Sequence, residues 1–431
     1  MTPESTPNSL NKTLNLPLLT FYGVGMILGA GIYTIVGKAA GVADEGVWIS
    51  ILLAAVSATF TALSYAELGS MYPKVGGEFV YLTKAFPKQD WLARTAGLMM
   101  AFSGVATAST VALSFAGYLN QFIEVSPLFV GYTLLFFFTG WSILGLKQSS
   151  WMNVVFTLIE VSGLLLLIYY GIKSDKFGDN LTFLVNRSTI SASALIIFAY
   201  FGFENIVNLA EETKNPEKNL PRAIVLSLFI STVLYLLVSV SAIALMPVEE
   251  LAQSSAPLTD AVRTLSPRSA NILGAIALFA TGNTILISLI TTSRILFGMA
   301  RSHALPKALA GLTKKKRTPW IAALLSLGAA AALIPLASVE TLAAISSFAT
   351  MTAFILVNGA LIVLRYQQPS YERPFKSPVN FGKIPVLGLL GVLTSILLII
   401  QFDTFVYKVG VGFLVFILFL QFLIKKPKKI L

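Results

Sequence analysis

The chain has 431 residues, of which 55% are apolar and only 12% are charged, and its formal net charge is +11. A soluble domain of this length carries about a quarter of its residues as charged side chains, so the composition excludes a soluble protein and predicts a polytopic membrane protein. Because the chain has no cysteine and a single histidine, thiolate and histidine-cluster metal sites are excluded, and we expect neither a metal nor a cofactor.

Twelve apolar stretches are each long enough to cross a hydrocarbon core of about 30 Å as a helix. They are continuously apolar, which is typical of helices and not of barrel strands. The predicted fold class is therefore all-α, with twelve transmembrane helices in one integral membrane domain over residues 1–431. The stretches lie near residues 16–41, 47–71, 92–122, 127–145, 151–172, 189–211, 221–246, 270–300, 319–337, 341–364, 383–402 and 405–424.

The basic residues indicate how these spans are oriented. Twelve crossings place both termini on one side of the membrane, and the loops and ends assigned to that side hold 24 of the 31 Lys and Arg residues. This asymmetry predicts cytoplasmic termini in the plasma membrane. Clusters such as 314–317 and 425–429 are explained by topology and by contact with anionic lipid, so we expect membrane lipid and no nucleic acid as a partner.

The first span contains an unusual run of glycines, "YGVGMILGAGIY" from Tyr22 to Tyr33. A nucleotide-binding loop would need a preceding strand and a soluble βαβ unit, and the sequence predicts neither. Two explanations remain. Gly25 and Gly29 could form a helix-packing face, or the helix could be interrupted there to expose its backbone.

The fifth span carries one polar stripe, formed by Asn153, Thr157 and Glu160 at positions i, i+4 and i+7. This stripe should face the interior of the bundle, where no lysine or arginine stands out as a partner for Glu160. Desolvation then favours the protonated carboxyl, which could carry a coupling proton. The alternatives are a sodium ligand, which we favour less, a partner for a basic substrate, and a static hydrogen bond.

The sixth span, "FAYFGFENIVNLAEETKNP", places Gly202 among aromatic residues and Glu204 directly after them. It lies five spans after the first, where a transporter built from two inverted repeats carries its second interrupted helix. A carboxylate at this depth costs about 2.5–3.5 kcal/mol, so we expect Glu204 to act in gating or proton transfer, or else to tie the half-helices together. On the eighth span we expect Asn283 to line the path, since Thr291 to Ser293 lie nearer the cytoplasmic end.

Four motifs, in order along nearly the whole chain, resemble the amino acid–polyamine–organocation family of transporters. They are "GVGMILGAGIYTIVG", "ALSYAELGSMYPKVGGEFVYLTKAF", "FAYFGFENIVNLAEETKNPEKNLPRAI" and "TTSRILFGMARSHALP". The resemblance implies a leucine-transporter-like fold with a five-plus-five inverted repeat and interrupted helices 1 and 6. The repeats would cover about 16–172 and 189–364, followed by two peripheral helices within 383–424. Some proton-coupled relatives carry a lysine where this chain has Glu160, so the lysine mechanism does not transfer.

The resemblance also implies how an amino acid would bind. An interrupted helix frees amide N–H groups that attract a carboxylate and carbonyl groups that attract an ammonium. The amides of Ala30 and Gly31 would take the carboxylate, and the carbonyls of Ile27, Phe198 and Phe201 the ammonium. Gly29 and Gly202 would open the two breaks, and Tyr200 would add aromatic surface.

These observations predict a secondary active transporter for amino acids, working by alternating access, with a proton as the coupling partner in symport or exchange. It is not expected to be an enzyme. Polyamine or other amine transport is the alternative within transport. A membrane amino-acid sensor that binds without turnover, or a channel, is the alternative outside it.

Overall fold

The computed structural model of the protein describes residues 12–74, 76–144, 150–179, 181, 183–314, 316 and 318–423. The predicted cluster 425–429 and two positions of the cluster 314–317 therefore lie outside the described residues. Within these residues the helices are α1 (Leu16–Leu28), α2 (Gly31–Ala43), α3 (Val47–Met71), α4 (Gly77–Ala85), α5 (Asp90–Leu119), α6 (Pro127–Leu144), α7 (Ser150–Ile172), α8 (Arg187–Tyr200), α9 (Pro216–Leu245), α10 (Val248–Gln253), α11 (Pro257–Arg263), α12 (Pro267–Arg301), α13 (Trp320–Leu333), α14 (Val339–Gln367), α15 (Val386–Ile399) and α16 (Thr404–Leu423).

Short elements connect these helices. The 3₁₀ segments are Asp44–Gly46, Phe203–Glu212, Lys307–Ala310 and Ile334–Leu336. A small antiparallel hairpin joins β1 (Asn380–Phe381) to β2 (Ile384–Pro385), with Phe381 opposite Ile384. The 3₁₀ segment Phe203–Glu212 is ten residues long, which is unusual because such runs rarely exceed three or four residues.

Nine helical stretches of the described chain are long and apolar enough to cross a membrane. The first, Gly31–Met71, combines α2 and α3 through the turn Asp44–Gly46, and three shorter apolar helices accompany the nine: Leu16–Leu28, Trp320–Leu336 and Val386–Ile399. This is the architecture of a multi-pass helical membrane protein. The first predicted span, 16–41, is two helices, because α1 stops at Leu28 and α2 starts at Gly31.

The helices pack through close contacts at small residues. α5 lies along α12 and α14, α3 along α9, and α2 along α8. At Gly104 a Cβ atom would lie 2.1 Å from Thr292 Oγ1 of α12. The backbone of α5 therefore packs directly against this side chain of α12. Small residues at such crossings allow close van der Waals packing, which holds helices together in lipid. The ends of α1, α2 and α8 are thereby brought into the interior.

Candidate functional site

The first interruption separates α1 from α2 at Gly29 and Ala30. The Ala30 N–H donates a hydrogen bond to Thr284 Oγ1 on α12, at 2.9 Å. A Cβ atom on Gly29 would lie only 2.8 Å from the same hydroxyl oxygen. Glycine therefore leaves room for a side chain of another helix to reach the break. The glycine-rich run therefore interrupts the helix, which is the second of the two explanations given for its sequence.

The second interruption follows α8, which ends at Tyr200. Phe201 is extended, and Gly202 has φ of +128°, a conformation that other residues rarely adopt. A Cβ atom on Gly202 would also lie 2.4 Å from the Met26 carbonyl oxygen in α1. Glycine is thus required here both for its backbone conformation and for the contact with α1.

The two interruptions lie against each other. A Cβ atom on Gly31 would lie 2.5 Å from the Cα atom of Ala199, one residue before the end of α8. The buried hydroxyl of Tyr235, on α9, is 2.7 Å from the Ile27 carbonyl oxygen and 2.9 Å from that of Ala199. One tyrosine hydroxyl therefore bridges main-chain acceptors of both interrupted helices.

A cavity of about 110 Å³ is lined by residues of the second break and by Gly25 and Met26 of α1. It is far larger than the roughly 10–15 Å³ that one water molecule needs. It extends between α5 and α12 toward the end of the bundle where α5 starts and α12 ends. Its hydroxyl groups come from two helices. The lining residues are Gly25, Met26, Met100, Ser103, Gly104, Thr107, Phe201, Gly202, Glu204, Asn205, Thr284, Ile287, Ser288, Thr291, Thr292 and Ile295.

The structure distributes the predicted site residues over two layers. Phe201, Gly202 and Glu204 line the cavity. A second group lies around the breaks without being among its lining residues, and all of its members except the half-buried Gly31 are buried: Ile27, Gly29, Ala30, Gly31, Phe198 and Tyr200. The Phe198 carbonyl accepts from the Phe201 N–H at 3.3 Å. The Tyr200 ring packs edge-on against Tyr235 with ring centroids 5.3 Å apart.

Several lining residues were missed by sequence reasoning. Thr291 and Thr292 line the cavity although they lie near the cytoplasmic end of the predicted span. Asn283, which was predicted to line the path, is not among the lining residues. The hydroxyls of Ser103 and Thr107, on α5, are each hydrogen-bonded to the Ser346 hydroxyl of α14 at 2.8 Å. Their hydroxyls carry no signal in sequence, because serine and threonine in an apolar helix commonly bond only to their own backbone.

Glu204 is buried, and both its carboxylate oxygens accept hydrogen bonds. Oε2 accepts from the Gly202 N–H at 2.8 Å, and Oε1 accepts from Asn205 Nδ2 at 3.0 Å. The carboxylate thus sits at the start of the 3₁₀ segment and accepts the main-chain N–H of the residue that precedes this segment. Both hydrogen bonds are made within the second break, and neither oxygen is without a partner. The role expected for Glu204 stays a prediction.

Glu160 occupies a different place, between α7 and α12. Its side chain is buried, and Asn283 Nδ2 lies 3.5 Å from its Oε1, at the long limit of a hydrogen bond. Its Oε2 has no hydrogen-bond partner, and no cation of the described residues lies within ion-pair distance. Tyr33 of α2 donates to the Glu160 carbonyl oxygen at 3.1 Å. The Asn153 side chain of the predicted stripe lies outside the described residues.

Ion pairs lie at both ends of α14. At its start, Glu340 lies 3.0 Å from Lys38 of α2, whose ammonium also donates to the Ala252 carbonyl oxygen at 2.8 Å. At its other end, Arg365 binds Glu67 of α3 through two hydrogen bonds, of 2.6 and 2.5 Å. Arg373 in the following loop binds the same carboxylate at 3.1 Å.

We expect Glu67→Gln to destabilise the protein more than the loss of one partner of an exposed ion pair does. Removing one partner of a buried ion pair costs about 3–5 kcal/mol because the other charge stays buried, and the Glu67 and Arg365 side chains are 0% and 4% exposed. The midpoint of thermal unfolding in detergent should fall by about 3–6 °C. Asp260→Asn is the control, because its pair with Arg263 is partly exposed (24% and 37%). Equal shifts in the two variants would contradict the expectation.

Comparison with known proteins agrees with this architecture. The model of the amino acid permease family matches residues 14–424. The branched-chain amino acid permease BcaP of Bacillus subtilis is 30% identical, over 92% of this chain and 89% of that protein. The methylthioribose transporter of the same organism is 28% identical, over 97% and 95%.

Plant transporters match over a smaller part of their own length. Cationic amino acid transporter 1 of Arabidopsis thaliana is 28% identical over 83% of this chain, which spans 64% of that protein. The bacterial relatives, by contrast, are covered almost end to end, and the family model spans nearly the whole chain. The chain therefore belongs to the amino acid permease family, within the amino acid–polyamine–organocation superfamily of membrane transporters.

Proposed function

We propose that this protein is a secondary active transporter that moves neutral amino acids across the plasma membrane by alternating access, coupled to protons in symport or exchange. The observation that carries the proposal is the contact between two interrupted helices beside an internal cavity. Gly31 meets Ala199, and Gly202 meets the Met26 carbonyl group. Main-chain groups of both helices are thereby concentrated at one place, and substrate sites near the middle of the membrane are built in this way in transporters.

The proposed topology has twelve crossings, counting α1 and α2 as one interrupted span. Two inverted repeats, about 16–172 and 189–364, would be followed by α15 and α16 at the periphery. Helices five crossings apart pack on each other, as α3 does on α9, α5 on α12 and α6 on α13. A two-fold axis between repeats produces such pairs, so this packing supports the repeat. The basic residues support cytoplasmic termini.

The proposed binding mode uses main chain on both sides of an α-amino acid. The substrate carboxylate would bind at the start of α2, at the amides of Ala30 and Gly31, where the helix dipole is favourable. The ammonium would bind the carbonyls of Ile27, Phe198 and Phe201. The side chain would extend into the cavity, past Met100 and Ile287.

The cavity supports neutral rather than cationic substrates. Among its lining residues the one carboxylate is Glu204, and each of its oxygens already accepts a hydrogen bond from the protein. A lysine or arginine side chain would have to share Glu204 with these donors and would lose its hydration, which is costly. The permease BcaP, named for branched-chain amino acids, is also more similar to this chain than the plant cationic transporters are to it.

Uptake into proteoliposomes tests the function. We expect saturable, concentrative uptake of L-leucine under an inwardly directed proton gradient, inhibited by neutral amino acids at least about tenfold more strongly than by L-lysine, L-arginine or putrescine; a tenfold ratio corresponds to about 1.4 kcal/mol. Binding without accumulation would indicate a sensor, and uptake without saturation a channel. Stronger inhibition by putrescine or lysine would contradict the proposed substrate class.

A further inference from the structure

The hydroxyl of Thr284 links α12 to the first break. Its oxygen accepts the hydrogen bond from the Ala30 N–H at 2.9 Å, and its proton is donated to the Ala280 carbonyl oxygen, one turn back on α12, at 3.0 Å. Thr284 also lines the cavity. A side chain in contact with the cavity therefore occupies the amide that we assign to the substrate carboxylate.

Such an amide can serve one acceptor at a time. A backbone N–H has a single proton, so a carboxylate can accept from Ala30 only when Thr284 does not. The other side of the break differs. The Ile27 carbonyl oxygen, which binds Tyr235, has a second lone pair and can accept from an ammonium as well. The conflict between protein and substrate is thus confined to Thr284.

We propose that Thr284 is an internal competitor of the substrate carboxylate, which satisfies the Ala30 amide in the substrate-free protein and is exchanged for the carboxylate on binding. This inference rests on the proposed function. The exchange makes the protein selective for ligands with a carboxylate, because a neutral group gains less from this amide than an anion does. It also lowers affinity, since each binding event replaces an existing hydrogen bond.

The surroundings of Thr284 fit such an exchange. The missing Cβ atom of Gly29 gives the hydroxyl its access, at a distance where a side chain would collide with it. After the exchange the hydroxyl still has the Ala280 carbonyl as a partner in its own helix. Neither the Ala30 amide nor the Thr284 hydroxyl is then left without a hydrogen bond, so the exchange avoids the penalty of an unsatisfied donor.

Isothermal titration of the purified protein with L-leucine and L-leucinamide tests the inference. In Thr284→Val the amide has no internal acceptor, so we expect L-leucine to bind about three- to tenfold more tightly, the ratio that corresponds to one typical hydrogen bond. L-leucinamide, whose neutral carboxamide gains less from this amide than a carboxylate does, should tighten by a clearly smaller factor. Thr284→Ser keeps the hydroxyl and should restore the wild-type ratio of the two affinities.

Thr281→Val is the matched control, one turn away on the same helix. Its hydroxyl donates only to carbonyls of α12 in the described structure, and Thr281 is not among the lining residues. It should change neither affinity, and thermal unfolding without ligand should show that every variant is folded. Weaker or unchanged leucine binding in Thr284→Val, or equal tightening for both ligands, would overturn the inference. A folded wild type that binds no L-leucine would instead overturn the proposed function.

Discussion

Replacing Gly202 by alanine is expected to reduce the initial rate of L-leucine uptake to less than about a tenth of the wild-type rate. The added methyl group would stand 2.4 Å from the Met26 carbonyl oxygen, at a residue with φ of +128°. A non-glycine residue in such a conformation costs about 1–3 kcal/mol, and overpacking costs about as much again. Because the obstacle is backbone, no side chain can rotate away, and the two half-helices must separate.

Gly298→Ala is the matched control for this change. Gly298 lies in α12, and a Cβ atom there would meet no heavy atom within 4 Å. Alanine also has a better helix propensity than glycine, so uptake and thermal stability should be preserved. Both variants should be compared at equal reconstituted amounts after a check of their unfolding midpoints. A folded Gly202→Ala protein with wild-type uptake would show that contact between the breaks is not needed for transport.

Glu160→Gln is expected to abolish proton-driven accumulation while leaving exchange of L-leucine across the membrane. The carboxyl is buried with one oxygen unpaired and no cation of the described residues in ion-pair contact, so ionising it in place is costly. A proton could therefore be bound there on one side of the membrane and released on the other. Glutamine keeps the shape and an acceptor for Asn283, but cannot exchange a proton.

The measurement is the accumulation ratio of L-leucine at a gradient of one pH unit. One coupled proton per substrate permits a ratio of about ten, since a tenfold ratio corresponds to about 1.4 kcal/mol, and Glu160→Gln should bring it to about one. Glu124→Gln, at an exposed carboxylate, should accumulate like the wild type. If Glu160→Gln still accumulates substrate, the coupling proton is carried elsewhere. If a sodium gradient drives uptake in the wild type, the ion is sodium.

The ion pairs at the two ends of α14 fit the alternating access that we propose. Lys38 with Glu340 and Glu67 with Arg365 and Arg373 join α14 to α2 at one end and to α3 at the other. Opening of either end would have to break the pair there. The Glu67 group is fully buried and the Lys38 pair only partly so, at 29% and 31% exposure. Since exposed pairs contribute little, the end near Lys38 has the weaker electrostatic closure.

Much of this protein follows from its sequence because the determining signals are local. Membrane spans depend on runs of apolar residues, and the interruptions depend on glycines such as Gly29 and Gly202, whose effect on the backbone is their own property. The sequence alone thus determined the class of the protein and the positions of both breaks. The distribution of basic residues over the loops also predicted the orientation of the protein in the membrane.

Only the tertiary structure decided which hydrogen-bond partner each main-chain group at the two breaks has. Thr284 caps Ala30 across 254 positions of sequence, and Tyr235 joins Ile27 to Ala199 from a third helix. In the sequence, the hydroxyl residues that contact another helix cannot be distinguished from those that bond to their own helix. Their partners are fixed by how the helices cross and rotate, and not by neighbours along the chain. The cavity between α5 and α12 arises in the same way, from two helices that only the fold brings together.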